Sequence, residues 1–500
     1  MTKKFSKEEC ISIYERFVSH ATISVNRGKT DYAYNDVKAA ARWAYHFNWI
    51  YNDVRLDNII RRIGRLWSKP FELKLDGKKR YLLIDTHGVD NRGLTQQYMR
   101  ALMAMEAEFL FVSVEPNVAE QRDIRSELAA YPRASTLFLD NKKMMPRQRL
   151  EIIVDVVKQY QPQVAIGHIF PWDPIPFMLF DLARGMKIYN INFTDHAFWI
   201  GSSFIDYNIE FRAYGMTLSL EARHLQIKQI ICLPYYPIKP IYEPFHGFPD
   251  LPKDSIKIFT GGSFYKMMGD NDLFFKLCDS LLDLSPRVVL LVAGPGDDSQ
   301  VRGKISTMRN STRVYLIGDR RDVNEVVKHC DLYLNTYPLI GGLMSQYAAA
   351  NSKPILTYGK EHKVEGVVNH FSNNVKTFFS IEELLAYARR CIDDENFRIE
   401  EGEKNKIGVM DEERFNSIFC EIFNDKYVDY FHWDKMSIDY DVISNLYLDV
   451  ENNYSNTAFK ILFSSLKIRA LFMFPQYTLY FFSTCIHEGL KFISKKFHVS

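Results

Sequence analysis

From about residue 5 to residue 70, apolar side chains recur every three or four positions, as in AARWAYHFNWIYNDVRLDNIIRRIGRLW. That is the period of an amphipathic helix, so the chain is predicted to open on a helical preface. The pattern changes at KRYLLIDTHG, a short continuous apolar run that ends in a loop and is followed by the helix-like LTQQYMRALMAM. The same exchange of strand-like and helix-like runs continues through EFLFVSV, STLFLD, RLEIIVDVVKQY, QVAIGHI, FMLFDLARG and KIYNINF. Short apolar strands separated by helices pair in parallel through crossovers, which predicts a doubly wound α/β layer.

After QIICLPYY, the proline-rich PIKPIYEPFHGFPDLPKDS shows little periodicity and reads as a link between domains. The alternation then restarts with IKIFTGG, NDLFFKLCDSLLDL, RVVLLVAGPG, RVYLIGD, DVNEVVKHC, DLYLNTYP, LMSQYAAAN, PILTYG and IEELLAYARRCI. The expected organisation is a helical segment over residues 1–75, a first Rossmann-like domain over 76–237, a linker over 238–254, a second Rossmann-like domain over 255–425 and C-terminal helices over 426–500. The stretch from Ala470 to Ile486 has 17 residues and no formal charge, flanked by Lys460, Lys467, Arg469, Lys491, Lys495 and Lys496. Terminal helices packed on the domains are the favoured reading; a helix lying on a membrane surface and a segment just short of a span are the alternatives.

Composition narrows the class. Five hundred residues exceed what one core usually holds, and 47% hydrophobic with 25% charged residues is ordinary for a globular protein. The 63 basic and 61 acidic residues leave a net charge of +2, so no global field recruits nucleic acid, and any anion must be held locally. Seven cysteines stand singly, with no spacing suited to zinc or a disulfide framework. The N terminus lacks the apolar core of a secretory signal. A cytoplasmic protein, at most peripheral at the inner face of the membrane, is expected.

In open α/β sheets the ligand lies outside the carboxyl ends of the strands. Three loops of the second unit leave strands there: Gly261-Gly262 followed by Lys266, the GDR turn with Asp319, and the turn running from Tyr337 through Gly341, Gly342 and Leu343 to Ser345. Two glycines that hand over directly to a helix either make a tight turn or let backbone amides approach an anion at a helix N terminus. Lys266 would add positive charge. No Walker loop or dinucleotide fingerprint is present, and GPGDD at 294–298 reads as a loop after a buried strand rather than a metal site. In the first unit, Asp85, His87, Asp90, Asp195 and His196 lie in loops that end strands. Histidine is the side chain most easily poised near neutral pH; for Asp90 and Asp195 capping is the plainer role, and for His168 packing in the core.

Over about residues 80–425 these segments resemble a glycosyltransferase of the GT-B type. Within that class the chain is most similar to the O-GlcNAc transferase group and its bacterial relatives that glucosylate asparagine in adhesins. FYKMMGDND, RVYLIGDRRDVNEVVKHCDLYLNTYPLIGGLMSQYAAANSKPILTY and INFTDHAFWIGSSFIDYNI carry the likeness. It implies an α/β fold of two Rossmann-like domains facing a cleft. Lys266 would contact a diphosphate, and Gly261, Gly262, Gly341, Gly342, Leu343, Tyr337 and Asp319 would surround the nucleotide. His87, His196 and Asp195 would stand near the reacting sugar. Where the group has a turn histidine, two threonines and a ribose-holding aspartate, this chain has Gly342, Leu343, Met344 and, approximately, Tyr347, which leaves nucleotide identity open.

The expected activity is transfer of a hexose or N-acetylhexosamine from a UDP-sugar to a surface polysaccharide or lipid-linked glycan, with inversion and without metal or other cofactor. The nucleotide sugar, a glycan acceptor and a membrane surface under the C-terminal helices are the expected partners. A protein acceptor, at Asn or at Ser and Thr, is the alternative activity. A non-catalytic GT-B-like partner of another transferase is the alternative of a different class, and a nucleoside-sugar epimerase is a weaker third. Phe198 and Trp199 are expected in the core rather than as a wall for a sugar ring.

Overall fold

The computed structural model describes residues 3–74, 76–91, 94–114, 120–139, 144–241, 243–360, 375–424, 433–454, 457–466, 469–478 and 482. Three helices form the preface: α1 (Lys7–Asn26), α2 (Thr30–Phe47) and α3 (Val54–Trp67). Ser6 caps α1 through the Glu9 amide while the Glu9 side chain returns to the Ser6 N–H, a reciprocal capping box. Phe17, Trp43 and Phe47 are buried at its centre.

The first sheet is all parallel. Its strands are β1 (Arg80–Asp85), β2 (Glu108–Ser113), β3 (Ala134–Phe138), β4 (Val164–His168), β5 (Lys187–Ile191), β6 (Tyr207–Glu210) and β7 (Ile230–Cys232), in the spatial order β3-β2-β1-β4-β5-β6-β7. Both faces are covered, as a parallel sheet requires. Leu82 and Ile84 of β1 face the preface and the helix Pro146–Tyr160, whereas Tyr81 and Leu83 face the helix Thr95–Ala104. The period-two alternation of strand side chains thus feeds two separate cores.

The second sheet is also parallel, with β8 (Ile256–Gly261), β9 (Val288–Ala293), β10 (Val314–Gly318), β11 (Leu332–Leu334) and β12 (Ile355–Leu356) in the order β10-β9-β8-β11-β12. In both sheets the order reverses beside the first strand, which is the point where doubly wound folds open a crevice.

Two segments sit otherwise than their sequence suggests. Helix Glu412–Phe423, expected with the second domain, packs on the first sheet: Phe415, Phe419 and Phe423 recur every four residues on one face. Phe415 meets Tyr98 with ring centroids 5.4 Å apart, and Phe423 meets Tyr81 at 5.9 Å. The proline-rich stretch read as a linker is not free chain either. Phe245, Phe248 and Leu251 pack on the second domain, and Asp322 accepts from the His246 amide at 2.8 Å.

The described part of the tail forms helices Tyr440–Tyr454, Thr457–Leu466 and Arg469–Met473. Ile461, Leu462, Ala470, Met473 and Phe474 join the core of the preface, and Arg16 donates to the Met473 carbonyl at 2.6 Å. No helix among the described residues is long and apolar enough to cross a membrane. Lys467, Lys491, Lys495, Lys496 and most of the stretch from residue 479 to 486 lie outside the described residues.

Candidate active site

The switch point of the second sheet lies between β8 and β11, and the loops leaving these strands carry Lys266 and the Gly341-Gly342 turn. Both border one pocket of about 240 Å³. Lys266 sits in a single 3₁₀ turn, Phe264–Met267, and its Nζ donates to the Ile340 carbonyl at 3.2 Å. The Leu339 amide in turn donates to the Lys266 carbonyl at 3.4 Å, which stitches the two loops together. Burial, reinforced by the charge of Arg212, pushes the Lys266 ammonium down to about 8, and among the described residues no carboxylate acts to raise it. An ammonium held without a counter-ion is poised for an anionic ligand.

Helix Gly342–Ala350 begins at the same pocket, and no side chain caps it. The amides of its first turn, from Gly342 to Met344, have no intrahelical acceptor, so partial positive charge faces the cavity. Gly341 is already spent: its amide donates to Asn335 Oδ1 at 3.1 Å. Asn335 Nδ2 donates to Ser345 Oγ at 2.8 Å, and Ser345 Oγ donates to the Gly341 carbonyl at 3.2 Å, a buried network that fixes the turn. Gly341 adopts φ −99° and ψ 89°, open to any residue, and a Cβ there would meet nothing nearer than 3.4 Å. The tight-turn explanation of this glycine is therefore set aside. Gly294 is different: its Cβ would fall 2.1 Å from the Gly262 carbonyl oxygen.

Leu343, Gly261, Gly262 and Asp319 border the pocket with Lys266 and the glycine turn. Tyr337 does not. Its ring is buried in the core beneath the turn and its hydroxyl donates to Asp270 Oδ2 at 2.7 Å. Tyr347 borders the pocket, but its hydroxyl donates to the Ile238 carbonyl at 2.7 Å.

His196 lies in an adjoining cavity of about 520 Å³, which shares Ser263 and Pro295 with the first. Its Nδ1 is 3.3 Å from Asp195 Oδ1, and Arg212 Nε donates to Asp195 Oδ2 at 2.5 Å. Burial alone would raise the Asp195 carboxyl; Arg212 and His196 outweigh it and hold the group well below the usual carboxylate range. Asp195 thus stays charged and orients the histidine. Burial lowers His196, Asp195 offsets part of that, and Lys266 and Arg212 push it further down. With its Nδ1 proton on Asp195, a neutral His196 carries its lone pair on Nε2.

His87 borders neither cavity. It stacks on Phe170 at 4.9 Å and on His168 at 5.5 Å. Asp85 is fully buried: it accepts from the His87 and Gly88 amides at 2.7 and 3.0 Å and from Thr95 Oγ1 at 2.5 Å, with His168 Nδ1 at 3.3 Å. Asp90 accepts from the Asp123 and Ile124 amides at 3.0 and 2.9 Å, the capping role, and also borders the 240 Å³ pocket. Phe198 and Trp199 are core residues, as expected.

Several contributors were not legible. Gly294 and Pro295 stood in a stretch read as an ordinary loop, and Arg320 and Arg321 follow Asp319 without any local signature. Tyr45, His46, Tyr447 and Glu451 reach the larger cavity from the preface and the C-terminal helices. No pattern in the chain announces that these two distant segments meet.

Two parallel Rossmann-like sheets joined through a cleft, with loops of both bordering it, define the GT-B fold, and the chain has it. No family model matches the chain. Over 168 residues the chain is 27% identical to an uncharacterized glycosyltransferase of Methanocaldococcus jannaschii; the match spans 33% of this chain and 42% of that relative's length. A glycosyltransferase from Rickettsia africae is similar at a TM-score of 0.51 and 13% identity, covering 70% of this chain and 98% of that one. Anabaena HepE, solved in complex with UDP and glucose, is similar at 0.50 and 13% identity, covering 69% and 100%. The likeness to GT-B glycosyltransferases read from the sequence stands.

Proposed function

We propose that this protein is a glycosyltransferase that takes a hexose or N-acetylhexosamine from a UDP-sugar and passes it to a glycan hydroxyl. The convergence of the Lys266 ammonium and the uncapped N terminus of helix Gly342–Ala350 on one pocket carries this reading. Both place positive charge where a departing diphosphate gathers negative charge, and both are in place before the substrate arrives. Asp319, Arg320 and Arg321 also border this pocket. The UDP and glucose bound to HepE support a uridine nucleotide.

On the far side of the donor, His196 serves as the base. Neutral at pH 7, oriented by Asp195 and bordering the larger cavity, it takes the proton from the acceptor hydroxyl as the oxygen attacks the anomeric carbon and the bond to the diphosphate breaks. Inversion follows from attack opposite the leaving group. Charge on the leaving group is met by Lys266 and the helix amides, so chelators are expected to leave turnover unchanged. The test is release of the nucleoside diphosphate from a panel of sugar nucleotides, with and without EDTA. Binding of none of them would overturn the reading. Tyr347, whose hydroxyl is spent on the Ile238 carbonyl at about the place where the O-GlcNAc transferase group that the sequence resembles has its ribose-holding aspartate, favours the second reading, a non-catalytic partner of another transferase; binding without any release, acceptor present, would support it.

A further inference from the structure

We propose that the 520 Å³ cavity beside the donor pocket is a saccharide subsite that takes the terminal sugar of the acceptor, with Glu451, held by His46, as its hydrogen-bonding anchor. The word acceptor rests on the glycosyl-transfer reading above; the saccharide site itself does not. Parts of the chain far apart in sequence meet here, among them helix α2, the loops after β4, β5 and β9, the 3₁₀ turn after β8, and helices Tyr440–Tyr454 and Thr457–Leu466. The volume is within the range of small-ligand sites.

The walls suit a neutral polyhydroxylated ring. Tyr45, Trp172, Tyr265 and Tyr447 line the cavity; Trp172 is itself stacked by Phe170 at 5.4 Å and Tyr447 by His196 at 6.2 Å, so these two serve as fixed walls and Tyr265 as the ring that meets a sugar. Tyr45 and Trp172 meet edge to face at 5.0 Å, and His46 stacks on Trp172 at 6.1 Å, so this corner is rigid. Tyr265 is 44% exposed, an aromatic ring the fold leaves for contact. Such rings pack the C–H face of a sugar and keep their polar edges for its hydroxyls.

Glu451 supplies the direction. Its side chain is 9% exposed, and one carboxylate oxygen pairs with His46 Nδ1 at 2.9 Å. Its other oxygen, Oε2, is buried and has no hydrogen-bond partner among the described residues. A carboxylate oxygen left so is costly unless a donor arrives, and a sugar hydroxyl is such a donor. Charge argues against an anionic occupant. Among the lining residues Lys460 is set against two carboxylates, Asp297 and Glu451, whereas the donor pocket has Lys266 and Arg321 beside Asp90 and Asp319, with Arg320 paired to Asp322, and adds the helix N terminus. Phosphates belong in the second of these and neutral sugars in the first.

The experiment is saturation-transfer NMR and titration of the full chain, with UDP present, against methyl α- and β-glycosides of glucose, galactose, mannose, N-acetylglucosamine and N-acetylgalactosamine. At least one glycoside is expected to bind, and Glu451→Gln to weaken it tenfold or more while UDP affinity changes less than twofold. Should that variant fail to fold, Tyr265→Ala, at an exposed ring, is expected to weaken the same glycoside at least fivefold. UDP binding with no glycoside bound overturns the inference. So does glycoside affinity unmoved by both substitutions, or displacement by Ser-, Thr- or Asn-containing peptides where glycosides fail. Glycoside binding without UDP binding would sustain the subsite and overturn the donor reading instead.

Discussion

The two sheets present opposite kinds of edge. At the carboxyl edge of the first, three carboxylates are spent on their neighbours: Asp85 on Thr95, His168 and two amides, Asp195 on Arg212 and His196, Asp90 on the start of a helix. At the same edge of the second, among the described residues, Lys266 has only a carbonyl and the first helix amides have no capping side chain. A saturated edge holds a side chain still; an unsaturated one waits for a ligand. The difference assigns orientation to the first half and charge to the second, a division of labour between the walls of one cleft.

Substitutions sharpen this contrast. The largest effect is expected at the saturated edge, where Asp195→Ala strands buried Arg212 and should cost about 3–5 kcal/mol of stability, as broken buried ion pairs do. Chemical denaturation measures it, and a loss under about 1 kcal/mol would mean that the edge is not saturated as described. At the open edge Lys266→Ala should leave the melting temperature unchanged or higher and weaken UDP binding by roughly 10- to 100-fold, the loss of about 1.5–3 kcal/mol for a charged hydrogen bond. Calorimetric titration decides this, and equal affinity would remove the main support for the donor site.

Between these lies pH. Lys266 must be protonated to hold a diphosphate, and its ammonium in the free protein titrates at about 8. UDP affinity should therefore be level below pH 8 and fall toward tenfold per unit above it. His196, lowered from its ordinary value, must be neutral to act, so the acid limb of the turnover profile should lie below the ordinary histidine value, with an alkaline limb from Lys266. An acid limb lying above the ordinary histidine value would contradict the assignment of the base. The smallest effects separate two glycines. Gly294→Ala drives a Cβ into the Gly262 carbonyl and should cost about 1–3 kcal/mol. Gly341→Ala meets only ordinary contacts and should change stability by less than about 0.5 kcal/mol, while reducing UDP affinity if the backbone lies against the ligand.

How far the chain could be read depended on the range of the interaction. Strand-like runs such as RVVLLVAGPG and helix-like runs such as IEELLAYARRCI fell where the structure has β9 and the helix Ile381–Asp393, because hydrophobic periodicity is local. Strand Tyr207–Glu210 and helix Glu395–Lys406 were passed over, the first being short and the second polar along most of its length. Lys266 and the glycine turn could be paired before any coordinates, since parallel topology brings both loops to one switch point. Asp195 could be located but its role could not, because Arg212, seventeen residues on, decides whether the carboxylate is a base or an orienting group. Tyr337 carried a motif-like position and proved to be support beneath the turn.

By itself the sequence determined two parallel α/β layers, a helical start and the loops able to meet an anion, since periodicity and strand-end chemistry are written in neighbouring residues. Only the tertiary structure decided that helix Glu412–Phe423 returns to the first sheet and that helix α2 and helix Tyr440–Tyr454 close the cleft. The reason is physical: contacts such as His46 with Glu451 join residues 405 positions apart, and no local pattern selects such a pair before the apolar surfaces beneath them have been buried together.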